Sequence, residues 1–356
     1  MVTRFERREK PRTASGNYAQ DWPSYNLAQA NEKRLSPQVL RMLCQYVQDP
    51  VTSGPGRPKA KYGDQAFCVV MKEFETDCGR RLTSDLQIAS ELNLLKHVPH
   101  FNSVSNYGRD EYLAEVLEDL IVRSSFPLRD FEKGIAIDST SFSSDQYVQW
   151  RKAKFGKPEE WHDWRKLHVA VGVDTHIITA ALTSDAYAND YSFLGALLRT
   201  TAASGYKFLE TYADKAYLGG ENMRVIAHLG AAPFIMPKAR TSSEGKSKVW
   251  KHMYDLHEKD PEEFGSHYHL RSNAETVFSM IKAIFGGRLR AKSETGQRTE
   301  LLAKALGHNI RVLIRCMYQF NLVLDFSDPP AIEENADGQL DLVSNRINYI
   351  PGLNRN

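Results

Sequence analysis

Five short apolar runs occupy the middle of this 356-residue chain, and they restrict what it can fold into more than any other feature. GIAID (134–138), HVAVGVD (168–174), IITAALT (177–183), FLETYAD (208–214) and AAPFIMP (231–237) have the length and the β-branched or aromatic content of strands. Apolar residues between and after them fall at helical spacing. Phe193, Leu194, Leu197 and Leu198 do so within 190–203, followed by a segment from Gly220 to Leu229 and two stronger helices over about 272–284 and 300–320. Adjacent strands followed by strands alternating with helices predict an α/β domain built on a mixed sheet flanked by helices.

The chain ahead of Gly134 reads as all-α. Ser36-Pro37 supplies an N-cap and a first-turn proline for a helix through Val39, Leu40, Leu43 and Val47. A Pro/Gly-rich basic loop, DPVTSGPGRPKAKYG (49–63), precedes further helical patterns from Asp64, from Ser84 and over Glu111–Val122. Short helices with polar turns suit a helix-turn-helix DNA-binding module, and equally any small helical bundle. The domain plan expected is a flexible basic arm over 1–34, a helical region over 35–130 and an α/β domain over 131–322. The last carries a charged, solvated insertion at about 238–266, and an acidic tail follows over 323–356.

The net charge of +2 is unevenly spread. Beyond residue 320 six acidic residues face two arginines, a net of −4, which leaves the rest of the chain mildly basic. Such a surface permits an anionic partner without requiring one. No apolar stretch is long enough to span a bilayer, and the N-terminal MVTRFERREKPRTAS lacks the apolar core of a secretion signal. No membrane partner and a cytoplasmic location are therefore expected. Cys44, Cys68, Cys78 and Cys316 have no paired spacing and read as reduced thiols rather than zinc ligands.

Three acids are candidates for chemistry. Asp138 and Asp214 close apolar strands, where open α/β sheets present ligand sites, although one aspartate there commonly does no more than cap a turn. Glu275 belongs to YHLRSNAETVFSMIKAIFGGRLR (268–290), in which Arg271, Glu275, Ser279 and Lys282 share one helix face opposite Ala274, Val277, Phe278 and Ile281. Taken alone, that stripe describes a solvated, salt-bridged surface.

The spacing Tyr268-x2-Arg271-x3-Glu275-x6-Lys282 resembles, without a gap, the Y-x2-R-x3-E-x6-K signature of DDE transposases of the insertion-sequence-four type. AIDST (136–140) resembles the first-aspartate strand of that family. YADKAY (212–217) resembles its second, D-x-G-Y, with Ala216 in place of the usual glycine. WRKLHVAVGVD (164–174) with Asn189-Asp190 resembles the strand pair and acidic turn between them. The resemblance covers roughly residues 130–320. GRPKAKYG (56–63), and an interval from Asp214 to Glu275 too short for a long β-rich insertion, look more like the insertion-sequence-five branch.

The resemblance implies an RNase H-like catalytic core in which Asp138, Asp214 and Glu275 hold two Mg2+ ions, with Mn2+ able to substitute, and Asp138 bridges them. It implies metal-dependent cleavage and strand transfer of double-stranded DNA, at terminal inverted repeats and target DNA, by a homodimer on paired ends, nucleoid-associated when bound. Three acids without histidine or cysteine supply the hard oxygens that Mg2+ favours. Arg271 and Lys282 would hold DNA phosphates, and Tyr268 would contact the backbone or stack on a flipped base. Arg57, Lys59 and Lys61 are candidate DNA contacts in the N-terminal region. An RNase H-like nuclease without strand transfer, or an inactive captured transposase that only binds DNA, would share the same motifs.

Overall fold

The apolar runs become a five-stranded sheet in the computed structural model, which describes residues 21–50, 59–74, 78–144, 164–238, 242, 244 and 246–328, with the backbone of 332–334 and 340–342. Strands β1 (Gly134–Ser143), β2 (Trp164–Gly172), β3 (Ile178–Asp185), β4 (Glu210–Ala213) and β5 (Ala232–Ile235) lie in the order β3-β2-β1-β4-β5. The first three form an antiparallel meander, whereas β4 and β5 run parallel to β1 and to each other. Parallel neighbours require crossovers, and α6 (Leu194–Ala203) and α7 (Gly220–His228) supply them. This order and mixture of directions is the RNase H-like arrangement expected.

Leu167, Val169, Ala170 and Val171 on β2 are all fully buried, as are Ile135 and Ala136 on β1. Burial without alternation means that both faces of the sheet are covered. Helix α10 (Ser272–Phe285) packs on β1 and β2, and α11 (Glu294–Phe320) packs on β3. β1 and β2 run further than their apolar cores, remaining paired out to Ser143 and Trp164. Asp138 therefore stands within β1, where burial gives way to a half-exposed segment, and not at the strand's end.

The N-terminal helices are α1 (Trp22–Cys44), α2 (Tyr62–Phe74), α3 (Gly79–Glu91), α4 (Phe101–Tyr107) and α5 (Glu111–Ser125). Ser36-Pro37 does not open a helix. Helix α1 starts at Trp22, inside the stretch expected to be a flexible arm, and Asp21 caps it by accepting from the Ser24 amide. Pro37 sits in its interior, and the Ser36 hydroxyl donates to the Glu32 carbonyl (2.7 Å). Packing of α1 against α11 and α2, with an Arg311–Glu32 ion pair, outweighs the local cost of the proline.

One other expectation is corrected. The segment read as a solvated insertion forms α8 (Lys248–Lys259) and α9 (Pro261–Tyr268), with Trp250, Met253 and Phe264 buried. The start of the acidic tail is anchored: Phe326 is buried, and Arg123 donates to its carbonyl (2.8 Å) and to Asp328 (2.7 Å). No helix among the described residues is long and apolar enough to cross a membrane.

The 27-residue α11 is buried nearly all round between Leu301 and Ile310, because α1, α2 and α5 cover it on one side and the sheet on the other. The helices before the sheet and the sheet itself thus share one continuous apolar core. Asn309 joins three elements. Its Oδ1 accepts from the Ile178 amide (2.9 Å), and its Nδ2 donates to the Ile178 carbonyl (2.7 Å) and the Ser124 hydroxyl (2.8 Å). Asn309→Ala strands these buried groups and is expected to lower stability by about 2–4 kcal/mol in urea denaturation; a loss below about 1 kcal/mol would contradict this role.

Candidate active site

Parallel pairing of β1 with β4 ends at Ile137–Ala213, so the next residues, Asp138 and Asp214, leave adjoining strands side by side. Both are half-buried. The Asp138 carboxylate accepts from the Ser139 amide (2.8 Å). Burial is the main cause that pushes its pKa up to about 6; the Ser139 amide and Arg271 oppose the rise, and the charges of Glu275 and Asp214 add to it. The turn after Asp214 is a single 3-10 turn, Lys215–Tyr217. Ala216 is not among the positive-φ residues, so this turn has no need of the glycine usual in D-x-G-Y.

Helix α10 brings the third acid. Ala274, Val277, Phe278 and Ile281 are buried, as their spacing predicts, which turns Glu275 and Lys282 outward along β1. Seven residues of helix span about 10 Å, and the face of β1 beneath carries Asp138, Thr140 and Phe142 at every second position. Lys282 donates to the Thr140 hydroxyl (2.7 Å) and lies 5.2 Å from the centre of the Phe142 ring. Burial pushes the Lys282 pKa down.

Glu275 is exposed and accepts from Arg271 at 2.7 Å. Arg271 also lies 5.5 Å over the Tyr268 ring, and the Tyr268 hydroxyl is 3.5 Å from Asp214 Oδ1. The structure thus gathers Asp138, Asp214, Glu275, Tyr268 and Arg271 into one electrostatic cluster, with Lys282 beside it. Lys59 and Lys61 are exposed ahead of α2, and no described hydrogen bond or ion pair joins them to the acids. Arg57 lies outside the described residues.

Residues of the strand pair and acidic turn, outside the three-acid signature, surround this cluster. Lys166 clamps Asp190 (3.0 Å) and the Ala188 carbonyl (3.0 Å). His168 is fully buried, bonds through Nε2 to the Ser184 hydroxyl (2.8 Å) and stacks on Phe193 at 3.8 Å. Burial holds its pKa down at about 4, so it is a neutral core histidine and not a base in waiting. The buried Tyr217 phenol faces the charges of Asp138, Asp190 and Asp214, which together with burial raise its pKa. Alternation along WRKLH could have signalled Lys166 and His168, but the partnership with Asp190 is tertiary.

The donor set suits a hard divalent cation: three carboxylates, with the pKa of one raised mainly by burial. As they stand, no three His, Cys, Asp or Glu side chains among the described residues close on a common point. Glu275 is the one that is diverted, because its carboxylate is held by Arg271.

A family model described as the transposase DDE domain matches residues 129–310, just over half of the chain. The chain belongs to the DDE transposase family. The matched segment runs from the approach to β1 into α11, so it contains every strand of the five-stranded sheet and all three acids.

The raised Asp138 pKa has a consequence for stability. The native state holds this proton to higher pH than an unfolded aspartate of ordinary pKa 3.8, so stability falls as pH rises from about 4 to about 6 and is flat above. In the absence of divalent ions, Asp138→Asn is therefore expected to be more stable than wild type at pH 7.5 by about 1–3 kcal/mol. The difference should vanish below pH 4. Equal urea midpoints at pH 7.5 would contradict the raised value.

Proposed function

We propose that this protein is an active DNA transposase that binds the ends of its own element and carries out divalent-metal-dependent strand cleavage and strand transfer through Asp138, Asp214 and Glu275, acting as a homodimer on paired ends. The observation that supports this reading is that Asp138 and Asp214 follow paired positions on adjoining strands of a sheet of the family's topology, with Glu275 near enough on α10 for its charge to raise the Asp138 pKa. In this reading Asp138, Asp214 and Glu275 would hold two divalent ions, Mg2+ or in its place Mn2+, once Glu275 is released from Arg271. Bound there, the ions would supply Lewis-acid stabilisation of the charge that develops in phosphoryl transfer.

The chain's own groups do the remaining work. Arg271, freed from Glu275, offers a planar fork to a phosphate next to the scissile one, and Lys282 offers a point charge about three turns further along α10. Tyr268, beside Asp214, packs against the sugar-phosphate backbone or an unstacked base. The Thr140 hydroxyl keeps Lys282 extended along β1 until DNA arrives.

Asp138→Asn, Asp214→Asn and Glu275→Gln are each expected to abolish Mg2+-dependent cleavage of supercoiled plasmid while duplex binding persists. Near-normal cutting by any one variant would remove that carboxylate from the mechanism, and cutting without joining would reduce the activity to that of a nuclease. Mg2+ should raise the melting temperature of wild type but not of Asp138→Asn. Lys282→Ala should make the salt dependence of duplex affinity shallower by about 0.9 in log–log slope, the value for one phosphate contact; an unchanged slope would place Lys282 away from DNA.

A further inference from the structure

A cavity of about 220 Å3 lies at the seam between α2, α4 and the chain that joins α10 to α11, outside the acidic cluster. Lys72, Arg109, Arg290 and Lys292 line it, against two acids, Glu73 and Glu300. Both acids are buried and already engaged. Glu73 accepts from Arg290 (2.8 Å) and lies 3.7 Å from Lys72. Glu300 accepts from the backbone amides of Arg290 and Ala291 (2.8 Å each) and from Lys304 (3.1 Å), itself fully buried. With its carboxylates spent on these partners, the cavity favours an anion over a cation.

Two further features point the same way. The N-terminus of the 27-residue α11 borders the cavity through Ser293 and Gly296; the Ser293 hydroxyl caps it by accepting from the Gly296 amide (3.1 Å), and the helix dipole still sets its positive end there. Thr299, one turn further on, also lines the cavity; it is 1% exposed, and its Oγ1 has no hydrogen-bond partner. A buried hydroxyl in that state is an unused donor.

The cavity is also connected to the acids. The connecting segment GGRLRAK (286–292) is stitched to the end of β1, with the Ser143 amide donating to the Gly287 carbonyl (3.2 Å) and the Leu289 amide to the Ser143 carbonyl (2.7 Å). Leu289 is buried in this segment, while Arg288 and Lys292 are exposed on either side. Cations at Arg271, Lys282, Arg288 and Lys292 therefore follow one stretch of chain from the acids to the seam.

We infer that the seam cavity is a subsite for a backbone phosphate of the DNA duplex on which the acids act, with Arg109 and Lys292 as its principal charged contacts. The inference rests on DNA being the substrate, and it adds a binding site outside the Tyr268-to-Lys282 signature. It also gives the N-terminal helices a direct share in holding DNA, since Arg109 follows α4 and Lys72 belongs to α2.

The test is the salt dependence of binding of full-length protein to a fluorescein-labelled random duplex of about 30 base pairs, between about 50 and 200 mM salt, for wild type and for Arg109→Ala/Lys292→Ala. Both side chains are exposed, so the double variant is expected to fold with an unchanged melting temperature. Loss of this one phosphate contact should make the slope shallower by about 0.9 and weaken binding throughout the range. Wild type that binds with a slope identical to that of the double variant would overturn the subsite while leaving the DNA reading intact. Wild type that binds no duplex would overturn the DNA reading itself. A double variant that melts early is replaced by Arg109→Gln/Lys292→Gln, read against the same slope.

Discussion

The burial of the Asp138 carboxylate, beside Asp214 on the adjoining parallel strand at the border of a covered sheet, is the constraint on which the rest of the site depends. Burial and neighbouring negative charge both disfavour ionisation, and the Asp138 pKa of about 6 is the result. A fold that maximised stability alone would not keep that arrangement, because an apolar pair at the same register would pack without penalty. The surroundings answer the charge only in part. Arg271 is the one cation that lowers the Asp138 pKa, and its own closest partner is Glu275 rather than either aspartate.

The packing around α11 explains how such a site can be held rigid. α11 lies between the N-terminal helices and the sheet, and α10 crosses β1 immediately before it. The ion pair of the buried Glu73 with Arg290 ties α2 to the segment that leaves α10, and Glu300 ties that segment to α11 by accepting from the Arg290 and Ala291 amides. Breaking one partner of such a pair is costly even where the intact pair adds little net stability. The helical region and the acids are therefore mechanically linked: displacement of α2 pulls on the chain whose other end carries Lys282.

Much of this was legible in the sequence for identifiable reasons. GIAI and ETYA read as strands because burial on both faces leaves unbroken apolar runs, and the apolar stripe through Ala274, Val277, Phe278 and Ile281 read as a buried helix face. The Tyr268-to-Lys282 spacing identified the side of α10 that faces the aspartates. What failed was local signal set against tertiary packing. Ser36-Pro37 has every mark of a helix start, yet α1 runs through it because α11 and α2 supply the stabilising surface, while the operative cap, Asp21 with Pro23, lay in a segment dismissed as an arm. Likewise Trp250 and Phe264 are sparse apolar residues in a charged stretch, too few for a pattern but enough to seat α8 and α9. The partnership of Glu275 with Arg271 was implicit in their four-residue spacing; that it diverts Glu275 from the aspartates is a matter of geometry alone.

The central claim is that Asp138, Asp214 and Glu275 are together a divalent-ion site, and location of bound Mn2+ by anomalous X-ray scattering in crystals of the protein with duplex DNA tests it most directly. The account predicts manganese at about 2 Å from carboxylate oxygens of both Asp138 and Asp214, with Glu275 turned away from Arg271 to join them. Saturating Mn2+ that leaves Asp138 and Asp214 without an ion, with Glu275 still on Arg271, would contradict it.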